Sequence, residues 1–278
     1  MPELPEVQTV INDLIKAGFI GKTISSTDVF WENSIAQPAA EEFRQTIPGQ
    51  TISNIRRRAK YIIFDFQSGL HLLIHLRMSG KIQLIPPNTE RAKHEHVILH
   101  FHDTFDLRFH DTRKFGRLFL VNDPNPVIGR LGPEPLDDAF TVDIFKKRIR
   151  PKSRQLKPLL LDQTFIAGLG NIYTDEALWE AKLHPRQIAS RLSGKKLEAL
   201  HYAIRFVLQK GIDNLGTTLG NRQSNFYSAG QRRGHNAEQL NVFHRTGQPC
   251  PRCNTIIERI IVGQRSTHIC PKCQKNSK

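Results

Sequence analysis

The sequence predicts an α+β chain of several domains: a β-sandwich with one helix packed on it, a helical middle, and a small cysteine-bearing hairpin at the end. Three observations predict this. Short runs of period-two apolar alternation fill the first 121 residues. Helical spacing takes over after a stretch broken by Pro124, Pro126, Gly129, Gly132, Pro133 and Pro135. All four cysteines fall after residue 249, in two C-x-x-C pairs. At 278 residues the chain is long enough for two or three domains with real cores.

In chain order, Val7, Val10, Ile11, Leu14 and Ile15 repeat with helical spacing from Pro5, and Gly18 stands just past the end. Pro5 suits a first turn, and Glu3 and Glu6 fall where the positive end of the helix dipole favours anions. Strands are predicted over 23–30, 51–58, 60–66, 70–77, 81–85, 96–101, 106–110 and 117–121, with short linkers such as Gln67-Ser68-Gly69 and Ser79-Gly80. Many short strands with tight turns make residues 1–121 a β-sandwich or flattened barrel. Residues 122–138 read as an interdomain linker. Helices are predicted over 142–149, 173–182 and 194–210, within a domain drawn over 139–240. Its last part, 217–240, is rich in Gly, Ser, Asn, Gln and Arg and reads as a long, mobile loop of the kind that carries function. Residues 241–278 form the terminal domain.

The formal charge of +14, from 40 Lys+Arg against 26 Asp+Glu, suits a polyanionic partner. No apolar run is long enough to span a membrane, and the acidic, proline-containing start is not a signal peptide. Cys250-Pro-Arg-Cys253 and Cys270-Pro-Lys-Cys273 have the spacing of one tetrahedral, four-cysteine zinc site on a β-hairpin, with disulfides or an iron centre as the alternatives. Four thiolates leave no open position on such an ion, which makes it structural. Metal-binding thiols also point to a reducing, cytoplasmic setting.

The first six residues, Met1-Pro2-Glu3-Leu4-Pro5-Glu6, place a reactive amine beside two carboxylates. With Met1 removed, the ring nitrogen of Pro2 is a free secondary amine. An α-amino group has a reference pKa of about 7.7–8.0 against roughly 10.4 for lysine, so a usable fraction is unprotonated at neutral pH. Its attack on an aldehyde-like carbon gives an iminium, which has no N–H proton to lose and persists as an electron sink. With Met1 retained, that nitrogen is an amide and this chemistry is closed. The glutamates admit two readings: both stabilise the helix end, or Glu3 is an acid/base group beside the amine.

Further along, Arg56-Arg57-Arg58-Ala59-Lys60-Tyr61 puts Arg56, Arg58 and Lys60 on one strand face by alternation, with Ala59, Tyr61 and Ile63 on the other. This is either a solvated face or a phosphate-contacting strip. Met78 precedes Ser79-Gly80, and Asp111-Thr112-Arg113-Lys114-Phe115-Gly116 joins two strands. Met and Phe at turn tips are ordinarily satellite core residues. Over a basic groove they are wedges between bases, with Arg113 filling the place of an extruded one. Gly168-Leu169-Gly170-Asn171 before a helix is an ordinary turn or a phosphate-accepting helix start.

These motifs together resemble bacterial formamidopyrimidine-DNA glycosylases. The resemblance rests on Pro2-Glu3-Leu4-Pro5-Glu6, Arg57-Arg58-Ala59-Lys60, His75 to Gly80, Asp111 to Gly116 and Gly170-Asn171-Ile172-Tyr173-x-Asp175-Glu176, in order along almost the whole chain. It implies a bifunctional enzyme that removes oxidised purines and then nicks the abasic strand. It further implies Pro2 as Schiff-base nucleophile, Glu3 as proton donor for base release, Lys60 as donor for β-elimination and Arg265 as phosphate ligand and donor for δ-elimination. Glu6 supports the geometry of Pro2 and Glu3. Met78, Arg113 and Phe115 fill the duplex, and His94, Lys152 and Asn171 contact DNA. The middle domain becomes a helix-two-turn-helix module, with upstream Lys157-Pro158, and 217–240 a lesion-covering loop. The end becomes a zinc-finger hairpin, and the protein is expected to act as a monomer on damaged double-stranded DNA at the bacterial nucleoid. Two rivals stay open: an endonuclease VIII-like enzyme for oxidised pyrimidines, and a non-enzymatic zinc-finger DNA-binding protein. Leu4, where the endonuclease VIII branch typically has glycine, and the Met78/Arg113/Phe115 set favour the purine enzyme.

Overall fold

Helix α1 (Leu4–Lys16) forms where the apolar repeat predicts it, and Leu4, Val7, Val10, Ile11 and Leu14 are all but fully buried. Ile15, at the edge of that stripe in the last turn, is exposed instead. Gly18 at φ +75 reverses the chain, donating to Ile15 O (3.0 Å) while Phe19 N–H reaches Leu14 O (3.3 Å) and its ring enters the core. The computed structural model describes residues 1–102, 104–220 and 226–276. Its chain divides into two compact units, 1–130 with 214–237, and 131–213 with 238–278.

The first unit is a two-layered sandwich. Strands β1 (Ile24–Val29), β2 (Ile35–Gln37), β3 (Ile52–Arg58), β4 (Tyr61–Phe66), β5 (His71–His75), β6 (Gly80–Ile85), β7 (Glu95–Phe101), β8 (Asp106–Asp111) and β9 (Arg117–Val121) form two sheets. Their orders are β2-β9-β5-β4-β3 and β1-β7-β8-β6. Alternate residues from both sheets, among them Ile62, Phe64, Leu72, Val97, Leu107 and Phe109, share one apolar cluster with α1. Each such side chain contributes about 1.5–3 kcal/mol on burial. Neither strand β2 nor helix α2 (Ala40–Thr46) follows from the sequence pattern. The strand has only three residues, too few to show alternation, and α2 buries a single residue, Phe43.

One register differs from the sequence expectation. Alternation alone runs straight through Ala59 and Lys60, but Arg58 pairs with Tyr61, so these two residues are a hairpin loop, with Ala59 at φ +52. Cross-strand partners share a face. Arg56 therefore lies on the side of Ile63, and Arg58 on that of Tyr61, not opposite them.

The division at 139–240 also differs from the compact units, since 214–237 groups with the strands. The reason is hydrogen bonding from residues far away in sequence. Leu84 N–H reaches Ala229 O (3.1 Å) at the edge of β6, and Asp13 accepts from Gly230 N–H (2.9 Å) and pairs with Arg232. Residues 221–225 of the expected lesion-covering loop lie outside the described residues. Helix α3 (Asn125–Ile128) closes this unit's first segment.

The second unit holds α4 (Val142–Ile149), α5 (Leu156–Leu160), α6 (Asn171–Glu180), α7 (Gly194–Asp213) and a hairpin of β10 (Glu258–Val262) and β11 (Arg265–Ile269). Helix α5 escapes sequence reasoning because it is five residues long with Pro158 in its first turn, where a missing N–H is harmless. Helices α6 and α7 pack closely at Gly211, where a Cβ would come within 2.6 Å of the Tyr173 hydroxyl. No described helix is long and apolar enough to cross a membrane.

Candidate active site

Pro2, Glu3 and Glu6 are all buried at the start of α1. Glu3 is the N-cap, and Glu6 closes a capping box by accepting the Glu3 N–H on Oε2 (2.8 Å). Its other oxygen accepts the Thr217 N–H (2.7 Å). The helix-stabilising reading therefore holds for Glu6, which also ties the N-terminus to a segment more than two hundred residues later.

Lys60 is 5% exposed in the β3–β4 loop. Arg57 donates from Nε to Gln8 Oε1 (3.1 Å) and from Nη1 to Ala59 O (3.3 Å), which brings this loop up to the second turn of α1. His75 next to it is pushed down to about 3 by burial and by the charges of Arg77 and Lys60. It stays neutral at physiological pH, accepts the Arg77 N–H on Nδ1 (3.0 Å), and adds no second cation beside Lys60.

Met78, Arg113 and Phe115 are brought together as expected of a wedge. Arg113 Nη1 lies 3.3 Å from Met78 Sδ, and its guanidinium sits 4.8 Å from the Phe115 ring centroid. Met78 and Phe115 are each 46% exposed, far more than packing residues. What holds them is invisible in the sequence. The fully buried Asp111 carboxylate accepts from Ser79 Oγ (2.5 Å) and from the N–H groups of Arg113 (3.1 Å), Phe115 (2.9 Å) and Gly116 (2.7 Å). His94, at φ +72, joins the same corner, its carbonyl accepting Asp111 N–H (2.9 Å) and its ring near those of His96 and His110. Replacing Asp111 with alanine takes the acceptor from four donors, of which the Arg113 N–H also meets Ser79 Oγ (3.3 Å); a bond to a charged group is worth about 1.5–3 kcal/mol. We expect Asp111→Ala to lower single-turnover excision from duplex DNA at least about tenfold, with β-structure by circular dichroism retained. An unchanged rate would show that the wedge needs no such anchor.

In the second unit Asn171 begins α6 behind the N-cap Gly170. Gly168 and Gly170 are themselves buried, while Asn171 is partly open. Its Nδ2 donates to Ser266 O (3.1 Å), and its Oδ1 is buried without a hydrogen-bond partner. Lys157, wholly buried, donates to the same carbonyl (2.9 Å) and to Asp175 Oδ1 (2.6 Å). Asp175 Oδ2 accepts the His268 N–H (2.9 Å). This network locks β11 to α6 and sets Asn171 beside the residue following Arg265, which is exposed at the first position of β11 after the Gly263-Gln264 turn. Lys152 is exposed in the loop after α4, its carbonyl accepting Ser190 N–H (3.0 Å). No hydrogen bond joins it to Asn171 or Arg265 among the described residues.

The sulfurs of Cys250, Cys253, Cys270 and Cys273 all lie within 4.8 Å of one another, with no disulfide among them. A tetrahedral zinc with about 2.3 Å bonds needs sulfur separations close to these. Hydrogen bonds from Thr255 bring Cys253 down to about 6, while burial and its neighbours push Cys273 up to about 12. Four such sulfurs ionise together only around a cation, and Trp179 Nε1 already donates to Cys250 Sγ (3.4 Å) as a supporting bond.

The family model for the formamidopyrimidine-DNA glycosylase N-terminal domain matches residues 1–118, and the model for that enzyme's H2TH domain matches 131–223. The chain belongs to the formamidopyrimidine-DNA glycosylase family. A zinc finger found in FPG and IleRS matches 247–276, and the four cysteines hold one structural Zn2+. The chain is 50% identical over 275 residues to the formamidopyrimidine-DNA glycosylase of Protochlamydia amoebophila, covering 99% of this chain and 100% of that one. It is 42% identical over 278 residues to that of Herpetosiphon aurantiacus, at 99% and 100% coverage. Among solved structures, a point mutant of the Lactococcus lactis FPG in complex with Fapy-dG-containing DNA superposes with a TM-score of 0.91 at 36% identity, covering 99% of this chain and 100% of that chain. The Lactococcus lactis Fpg with abasic-site DNA gives 0.90 at the same identity and coverage.

In this member of the formamidopyrimidine-DNA glycosylase family, sequence reasoning missed the buried anchors. Glu176 accepts from Asn241 N–H and Nδ2, Val242 N–H and Phe243 N–H, all within 3.0 Å, and burial raises its pKa against those bonds. Asp175 and Glu176 stand inside the Gly-Asn-Ile-Tyr-x-Asp-Glu motif, so a signal was present. Two adjacent acids on an otherwise buried helix need partners. For Glu176 these are mostly backbone N–H groups, and for Asp175 they are Lys157 and the His268 N–H.

Proposed function

We propose that this chain is a base-excision-repair DNA glycosylase and abasic-site lyase acting on oxidised purines, 8-oxoguanine and formamidopyrimidines, in double-stranded DNA. Membership of the family supports the activity, and the clustering of Met78, Arg113 and Phe115 as one exposed wedge on a buried carboxylate is the observation that carries the reading to a duplex substrate. Lys60, His94, Lys152, Asn171 and Arg265 are the proposed phosphate contacts, which makes binding salt-dependent. The Nδ2 of Asn171 carries two hydrogens; one goes to Ser266 O, and the other is the proposed donor to a phosphate.

With Met1 removed, the Pro2 lone pair attacks C1′ of the extruded nucleotide, and the base departs with the C1′–N bond electrons and a proton from Glu3. Opening of the sugar ring leaves the iminium at C1′. Loss of a C2′ proton expels the 3′ phosphate, and a second elimination expels the 5′ phosphate. Lys60 and Arg265 are the proposed proton donors for these two steps. A setting that keeps four thiols reduced and holds chromosomal DNA is the bacterial cytoplasm, at the nucleoid.

The Lactococcus lactis FPG has also been solved with an oxidised pyrimidine in its DNA, so the test compares both lesion classes. Wild-type protein should cleave an 8-oxoguanine:cytosine duplex faster than a thymine-glycol duplex. Glu3→Gln should lower base release by roughly 10²–10⁴ and leave cleavage of a preformed abasic site within about tenfold of wild type. Faster thymine-glycol cleavage would support the endonuclease VIII-like reading. An equal fall in both activities would remove Glu3 from the role of donor to the base.

A further inference from the structure

The geometry points to Trp31 as a positioning residue for the void-filling wedge, acting through Lys114. This inference rests on the glycosylase reading above. Lys114 lies between Arg113 and Phe115, and its ammonium sits 3.8 Å from the centroid of the Trp31 ring. Its backbone is held in the left-handed region at φ +59, where a lysine is strained. The Lys114 carbonyl accepts from Arg117 Nη1 (3.0 Å), and the N–H groups on both sides of it go to Asp111. From outside the β8–β9 connection, Ser79 Oγ meets the Arg113 N–H (3.3 Å) and the Asp111 carboxylate (2.5 Å), but neither of these bonds involves Lys114. The indole is a partner from elsewhere in the chain.

Trp31 follows β1, with Phe30 N–H bonded to His96 O (2.8 Å) and Trp31 O accepting Ser34 N–H (2.9 Å), so its backbone is fixed to the sheet. The ring is half-buried and its Nε1 is buried without a hydrogen-bond partner. An indole kept for hydrogen bonding would not leave its only donor unmet. What the ring offers is its face, and the face carries Lys114. With the lysine pinned, the turn has a second hold besides Asp111, and Arg113 and Phe115 keep pointing outward when they enter a base stack that pushes back. Trp31 touches no substrate in this role.

Trp31→Ala and Trp31→Leu should lower single-turnover excision from an 8-oxoguanine:cytosine duplex by about three- to tenfold. Trp31→Phe, which keeps an aromatic face and removes the orphaned N–H, should stay within about twofold of wild type. Borohydride trapping on single-stranded abasic DNA, which has no stack to enter, should be the same for all four proteins. Lys114→Met should match Trp31→Ala on the duplex, and the double variant should be no slower than either single one. A wild-type duplex rate in Trp31→Ala would overturn the proposal, as would equal losses on duplex and single strand, or failure of phenylalanine to rescue. If wild-type protein itself traps no adduct, the glycosylase reading fails, and this is seen separately from any effect at Trp31.

Discussion

Protein carrying Pro2→Gly with Met1 retained is expected to form no borohydride-trapped adduct with abasic DNA and to lose strand cleavage by at least about 10³-fold. With Met1 in place, the nitrogen at position 2 is an amide and its lone pair is delocalised into the carbonyl. Lysines in this basic chain do not replace it, since an unperturbed ammonium is almost wholly protonated at neutral pH. Helix α1 starts at Leu4, and its cap is made by Glu3 and Glu6, so the substitution leaves both in place. Salt-dependent DNA binding should persist, because no charge is changed. Mass spectrometry of the N-terminus completes the test: trapping should scale with the fraction of molecules beginning at Pro2. Fully active protein with intact Met1 would end the proposed chemistry.

Stripping the metal is expected to abolish tight DNA binding while the first unit stays folded. One equivalent of zinc per chain should appear in a chromogenic chelator assay, and affinity for a lesion duplex should fall by about 100-fold or more, given that structural zinc supplies on the order of 10 kcal/mol or more of folding free energy to small fingers. Around the four sulfurs the apolar support is thin, comprising Trp179, Val242 and Ile257. Arg265 and the Ser266 carbonyl that Asn171 and Lys157 share both belong to the hairpin this ion braces. Trp179 is a built-in reporter, with its N–H on Cys250 and Arg252 stacked 3.8 Å from its ring centroid, so its emission should shift on chelation. Unaltered DNA affinity after complete zinc release would detach the hairpin from binding.

The strands of the sandwich were legible as short apolar runs bounded by turn formers, nearly continuous where almost every position is buried, as in β4 and β5, and closer to alternation in β9. Strand β2 was not, since three residues carry no period. The Ala59-Lys60 turn was hidden because neither residue is a usual turn former, and the left-handed conformation of Ala59 is imposed by the hairpin. At the candidate site, residue chemistry put Pro2 and Glu3 forward as the proposed nucleophile and acid, and spacing put forward the cysteines, whose sulfurs do cluster. Glu6 was readable as support, but its bond to Thr217 spans 211 positions, which no local pattern can announce. Asp111 and Lys157 were missed as anchors for a related reason. A buried charge looks like any surface charge in a sequence until its partner is known, and the partners of Lys157 include Asp175 and Ser266 O.

Because 214–237 completes the first unit, the β-sandwich is discontinuous along the polypeptide. During synthesis its first 130 residues emerge early, yet Glu6 and Asp13 meet Thr217, Gly230 and Arg232 only after all of 131–213 has been made. Until then two carboxylates destined for burial stay in water, and the edge of β6 lacks Ala229. The nascent N-terminus therefore reaches its final packing late, after most of the chain exists.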